Sequence, residues 1–179
     1  LHPLEAKKKI GYLPEGAPAY GDMTPLAFLE FIADIRRIAP TEKRKRIDNA
    51  IDRINIRNVL HQPIDTLSKG YKRRVGLAQA ILHDPAVLIM DEPTDGLDPN
   101  QKQEVRHLIK EISRDKIIII STHILEEVTA VCSRAIIIAN GRLVADGKPG
   151  ELEAESLYRG AITLSLPNAD EAMQALGEI

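Results

Sequence analysis

Chemistry in this chain can start from acids placed where a buried strand ends. Ala86–Met90 is apolar without alternation, as in a parallel strand covered on both faces, and Asp91 and Glu92 follow it directly. The carboxyl ends of strands are where open parallel sheets bind ligands, and two adjacent carboxylates there call for a cationic or protic partner. Taken alone, the pair fits equally a strand that ends in solvated acids. A second apolar run, Lys116–Ile120, reads as the next buried strand, again without alternation, and leads into Ser121, Thr122 and His123. On a neighbouring parallel strand, His123 could hydrogen-bond a phosphate or orient water; by itself it is also an ordinary capping or surface group. A third feature is the crowding of Lys69, Lys72, Arg73 and Arg74 just after Ser68. Cations are disfavoured at the positive end of a helix dipole, so the cluster suits an incoming anion such as phosphate, or else forms a solvated basic face.

The elements that must position these groups can be read from the same stretch. Ser68 is a good N-cap, and Val75, Leu77, Ala78, Ile81 and Leu82 recur at helical spacing behind it. His83-Asp84-Pro85 ends that helix, because the residue before proline disfavours the α region. The strand Ala86–Met90 follows at once.

Together these residues resemble the nucleotide-binding subunit of the ATP-binding cassette (ABC) family. LSKGYKRR from Leu67 is similar to the family signature, Val87–Glu92 to its Walker B strand and following glutamate, and Gly96-Leu97-Asp98 to its D-loop. Ile117–His123 resembles the strand and switch histidine, and IGYLPE at Ile10–Glu15 takes the place of the Q-loop. These motifs stand in family order from Ile10 to His123. The resemblance departs at Lys69, where glycine is common, and at Glu15, where glutamine is usual. It departs further in the phosphate-binding loop, which needs Gly, four residues, then Gly-Lys-Ser/Thr. Gly11/Gly16 and Gly16/Gly21 have the glycine spacing, but Ala17 and Asp22 stand where lysine is required. The expectation is therefore the C-terminal two-thirds of an ATPase, inactive by itself.

The resemblance implies a role for each matched residue. Asp91 holds Mg²⁺ mainly through water, with Glu15 beside the metal as a γ-phosphate sensor. Glu92 polarises the attacking water and His123 assists it. Ser68, Lys69 and Gly70 bind the nucleotide held by a second ATP-binding subunit, and Asp98 links the two sites. ATP and Mg²⁺ are the implied cofactors. A transmembrane permease and a second ATP-binding subunit, identical or not, are the implied partners.

Composition limits the alternatives. The 179 residues are 44% hydrophobic and 28% charged, ordinary for a globular domain, with net charge −2, which gives no global attraction to nucleic acid or anionic lipid. The single cysteine, Cys132, excludes an internal disulfide framework, and its helical apolar setting suggests a buried, inert thiol. No run approaches the roughly 20 apolar residues of a membrane span. Membrane attachment would come through a partner, at the cytoplasmic face of the cell membrane.

In chain order, residues 1–21 read as the start of the ATPase core with the Q-loop. Residues 22–66 read as an inserted α-helical subdomain. Thr24-Pro25 opens its first helix, Thr41 its second, and Tyr20, Met23 and Phe28 are candidate exposed contacts for the permease, although an aromatic at helical spacing is more often core. Residues 67–156 carry signature, Walker B, D-loop and switch histidine, with Thr122 expected to cap the helix after His123. Asn140-Gly141 marks a type I′ hairpin. Residues 157–179 read as a strand and short helix beginning an appended segment. The fold class expected is α/β, a mainly parallel sheet flanked by helices. The function expected is ATP hydrolysis at a dimer interface driving a membrane transporter. A soluble ABC ATPase of nucleic-acid maintenance or translation is the alternative, though the insertion lacks the heptads of a coiled coil. A non-catalytic interaction module is another.

Overall fold

The computed structural model describes residues 3–155; the strand and helix expected at 157–179 lie outside the described residues. Packing divides the chain at Cys132/Ser133 into two compact units. The first holds α1 (Pro3–Lys9), β1 (Ile10–Leu13), α2 (Pro25–Ile35), α3 (Pro40–Ile54), α4 (Lys69–Ile81), β2 (Val87–Asp91), α5 (Pro99–Ile112), β3 (Ile117–Ser121) and α6 (Leu125–Val131). The second holds β4 (Ala135–Ala139), β5 (Arg142–Gly147) and α7 (Pro149–Glu155).

In the first unit β1, β2 and β3 form a parallel sheet in that order, with β2 central. Its register places Gly11, Leu88 and Ile118 in one row and Leu13, Met90 and Ile120 in another, all on the same face. Leu13, Leu88 and Met90 are fully buried there. Each such side chain contributes about 1.5–3 kcal/mol of burial. Helix α4 packs tightly on this side. A Cβ at Gly11 would stand 2.2 Å from the Ala80 carbonyl oxygen, so only glycine admits this approach. Gln79 Nε2 donates to the Tyr12 carbonyl at 2.9 Å, and the His83 ring meets the Ile10 carbonyl at 3.1 Å.

The opposite face differs from the sequence expectation of strands covered on both sides. Ile117 is 65% exposed and Ile119 52%, with Tyr12 exposed in the same row as Ile119. The run of isoleucines in β3 was read as burial on both faces because an apolar run carries no alternation to mark which side is covered.

Residues 22–66 supply α2, α3 and two short 3-10 turns, Arg57–Val59 and Ile64–Thr66. Thr24 caps α2, its hydroxyl accepting from Ala27 N at 3.3 Å, with Pro25 in the first turn. Helix α3 buries Ile47, Ala50, Ile51 and Ile54 and ends on Asn55 in the left-handed region. Phe28 is 4% exposed and belongs to the core, which corrects the expectation of an exposed contact; Met23 packs against that core. Tyr20 remains 56% exposed, edge-on to Phe31 with ring centroids 5.5 Å apart.

In the second unit β4 and β5 pair antiparallel, Ala139 opposite Arg142. Asn140 and Gly141 have φ 51° and 71°, the geometry a type I′ turn requires. Arg134 grips Asp146 with two hydrogen bonds of 2.7 Å. Among the described residues no helix is long and apolar enough to cross a membrane.

Candidate functional site

Strands β2 and β3 end together, Asp91 opposite Ser121, and that register assembles the acid cluster. Ser121 Oγ donates to Asp91 Oδ1 at 2.5 Å. The Glu92 amide donates to the Ser121 carbonyl at 3.0 Å, while Glu92 itself takes φ 44°. A non-glycine residue in this region costs on the order of 1–3 kcal/mol and persists only where its surroundings fix it. Here they do. The His123 amide donates to Glu92 Oε1 at 3.1 Å, the His123 ring Nδ1 lies 2.8 Å from the same oxygen, and Thr122 Oγ1 lies 3.3 Å from Oε2. The strained turn aims the Glu92 side chain back across the strand ends at the segment after β3.

The hydrogen bond that the ring makes to Glu92, and then the charge of Glu92, raise the His123 pKa above the ordinary 6.5 of histidine, although the ring is exposed. A protonated His123 makes an ion pair with Glu92; a neutral one with its proton on Nδ1 still donates to it. Thr122 does not cap α6, contrary to expectation. Ile124 takes the cap position, and Thr122 Oγ1 accepts from Ile124 N at 3.1 Å. The same hydroxyl lies 3.1 Å from Glu127 Oε2, so its one proton serves either Glu92 or Glu127 at a time. Glu127 is buried, and its Oε1 has no partner among the described residues. No signal in the sequence set Glu127 apart from the surface acids of a helix first turn.

The signature residues sit elsewhere on α4. Ser68 is the N-cap, accepting from Tyr71 N at 3.4 Å. Gly70 is buried against Gln101, whose side-chain carbon would lie 2.9 Å from a Cβ at that position. Lys69 is exposed and reaches over Gly96, its Nζ 3.6 Å from where a Cβ there would stand. Asp98 caps α5, Oδ1 accepting from Gln101 N at 3.0 Å. Glu15 is exposed in the loop after β1. Among the described residues no hydrogen bond joins Ser68, Lys69, Gly70, Asp98 or Glu15 to Asp91, Glu92 or His123.

The basic cluster that the sequence offered as an anion site or a solvated face is largely neither. Arg74 donates to the Ile54 carbonyl at 3.3 Å, pairs with Glu104, and lies over the Tyr71 ring. Arg73 is 5% exposed and donates to the Pro14 and Asp95 carbonyls, each at 3.4 Å. Burial lowers its pKa, opposed by Asp95, Glu15, Glu92 and Asp91. Charge alone could not show this; only the fold places those carbonyls above α4. Cys132 is half-buried, and burial raises its thiol pKa, as an unreactive cysteine requires.

The donors at Asp91 suit Mg²⁺. A carboxylate is a hard oxygen ligand, and Mg²⁺ commonly rests on one or two carboxylates with water and substrate phosphates.

A parallel sheet that presents an acid pair and a histidine at the carboxyl ends of adjacent strands defines the class: an α/β protein with its site at the strand termini. The chain belongs to the ABC transporter family, whose family model matches residues 3–95. It is 35% identical over 151 residues to an uncharacterized ABC transporter ATP-binding protein of Synechocystis, covering 83% of this chain and 43% of that one. It is 36% identical over 144 residues to the energy-coupling factor transporter ATP-binding protein EcfA2 of Clostridium perfringens, covering 79% and 50%. The solved structure of cbiO1 from Clostridium perfringens, described as part of the ABC transporter complex cbiONQ, superposes with a TM-score of 0.78 at 31% identity, covering 98% of this chain and 70% of that one. The chain spans about half the length of the curated relatives it matches.

Proposed function

We propose that the protein carrying this chain is the ATP-binding subunit of an ABC transporter and hydrolyses ATP at a dimer interface. The observation that carries the reading is the clamp on Glu92, with its Oε1 fixed by the His123 amide and ring at the end of β2, next to Asp91. Asp91 would hold Mg²⁺ mainly through water, with Glu15 as a further oxygen ligand. The ion, when bound, neutralises charge on the β- and γ-phosphates. Glu92 takes the proton of the attacking water, and His123 holds the Glu92 carboxylate in line and faces the γ-phosphate. Ser68 and Lys69 are exposed at the helix start beside the buried Gly70, and none of the three bonds to the acid cluster; they serve ATP held by a second subunit, and Asp98 passes between the two sites.

The relatives named as energy-coupling factor and cbiONQ components support a transmembrane permease as partner. Tyr20, Phe31 and Ile35 form an exposed apolar patch beyond the Glu15 loop that suits the permease's cytoplasmic end. The subunit then sits at the cytoplasmic face of the membrane through that partner. The phosphate-binding Gly-x4-Gly-Lys-Ser/Thr loop does not occur in these 179 residues, so this chain alone should not turn ATP over. Phosphate release in Mg-ATP tests the reading. A chain supplying that loop should be active, and its Glu92→Gln variant inactive. Equal rates for the two contradict it.

A further inference from the structure

Arg73 lies in the basic first turns of α4 yet is 5% exposed, and it spends its donors on backbone from two separate loops. Nη1 donates to the Pro14 carbonyl and Nη2 to the Asp95 carbonyl, both at 3.4 Å. Pro14 immediately precedes Glu15, and its carbonyl also accepts from Ala17 N at 3.1 Å, closing the turn that presents Glu15. Asp95 lies midway between Glu92 and Asp98, and its amide donates to the Glu92 carbonyl at 3.2 Å. One guanidinium therefore holds the closing carbonyl of one turn and the central peptide of the other. The same face of α4 grips the first loop again three residues on, where a Cβ at Gly76 would stand 2.7 Å from Ala17 Cβ.

The bonds are long, and burial works against the charge of the guanidinium more than any neighbour supports it. Asp95, Glu15, Glu92 and Asp91 all favour the charged form of this side chain. Arg73 thus offsets repulsion among acids that converge where the first and second strands end. A planar fork can serve two carbonyls at once, which a lysine ammonium on its flexible stem does far less well.

We propose that Arg73 is a positioning residue that sets the Glu15 loop and the Glu92–Asp98 loop in one frame on the signature helix, so that neither moves without α4. The consequence for catalysis rests on the ATPase reading above; the mechanical linkage does not. Amide hydrogen exchange on the 179-residue chain without nucleotide separates the two. In Arg73→Met, the Ala17, Asp95 and Leu97 amides should all exchange about tenfold faster or more, while Val75 and Ala78 inside α4 keep the parental rate. In Arg73→Lys, which keeps the charge and guards against a variant that fails to fold, at least one of the two turns should still loosen. Parental exchange at either turn in Arg73→Met overturns the linkage, as does a rise that spreads through α4 in both variants. In the chain that supplies the phosphate-binding loop, Arg73→Met should lower kcat about tenfold or more at unchanged folded fraction, with KM for Mg-ATP within about threefold. Parental kcat there overturns the catalytic consequence. A parent without Mg-ATP hydrolysis contradicts the proposed function and leaves the exchange result to judge the linkage.

Discussion

The two regions of the proposed ATP site, the strand ends and the helix starts, are built differently. At the end of β2 both acids have partners from the neighbouring strand or the segment after it: Asp91 has Ser121, and Glu92 has Ser121, Thr122 and His123. At the starts of α4 and α5 the capping groups serve their own helices. Ser68 accepts from Tyr71 N, and Asp98 accepts from Gln101 N. The first region is preorganised by strand register and tolerates the positive φ of Glu92 because its side chain is held on both oxygens. The second is capped, exposed and without an internal counterpart. A site fixed inside one chain and a surface left outward are what a reaction shared between two subunits requires.

The largest expected effect falls on the preorganised end. Glu92→Gln, in a chain that supplies the phosphate-binding loop, should slow hydrolysis by ~100- to 10,000-fold, or about 3–5 kcal/mol of barrier. Mg-ATP binding should survive, and the variant should elute as a dimer in Mg-ATP and as a monomer without it. The outward end should respond in the opposite sense. Ser68→Ala removes a helix cap, costing about 1 kcal/mol of stability in denaturant unfolding. It should separately weaken Mg-ATP-dependent pairing about tenfold, or about 1.4 kcal/mol, by removing a hydroxyl from the shared site. Dimers as stable as those of Glu92→Gln would erase the contrast between the regions.

A smaller effect separates the two histidines. His123 titrates above the ordinary 6.5, because Glu92 stabilises its charged form. Its contribution to stability is full below pH 6.5 and is lost as pH rises through the folded value. His83 moves the other way, to about 4, chiefly by burial beneath the end of α4 and then by Arg36. The folded protein keeps it neutral while the unfolded chain protonates it, so stability falls as pH drops from 6.5 towards 4. NMR titration should show both directions, and Glu92→Gln should return His123 towards 6.5 while leaving His83 unmoved. An unchanged His123 midpoint would mean the Glu92 contact is absent in solution.

Much of this was legible in the residues. Ser68 as cap, α4 after it and β2 before the acid pair follow from local patterns, and the type I′ turn follows from Asn140-Gly141. The Glu92–His123 contact was legible only as two groups on adjacent strands, since register and the turn at Glu92 are set by packing. Phe28 stood open between an exposed contact and the core, because an aromatic at helical spacing does not say which face is covered, and the fold buries it. The isoleucines of β3 misled in the same way. Arg73 was hidden most completely, since a buried arginine in a basic run is written in the same letters as a solvated one. Glu127 was hidden for the same reason.

The shared-site claim is tested most directly by mixing two inactive proteins. Glu92→Gln spoils the hydrolytic end of its own chain, and Gly70→Asp would spoil the outward end by setting a carboxylate against the incoming phosphate. In a mixed dimer one site carries both defects and the other carries neither. An equimolar mixture, each chain supplying the phosphate-binding loop, should therefore recover about one quarter of the parental Mg-ATPase rate if sites act independently. A mixture no faster than the two variants measured apart would contradict the account, because Gly70 and Glu92 would then serve the same ATP within one chain.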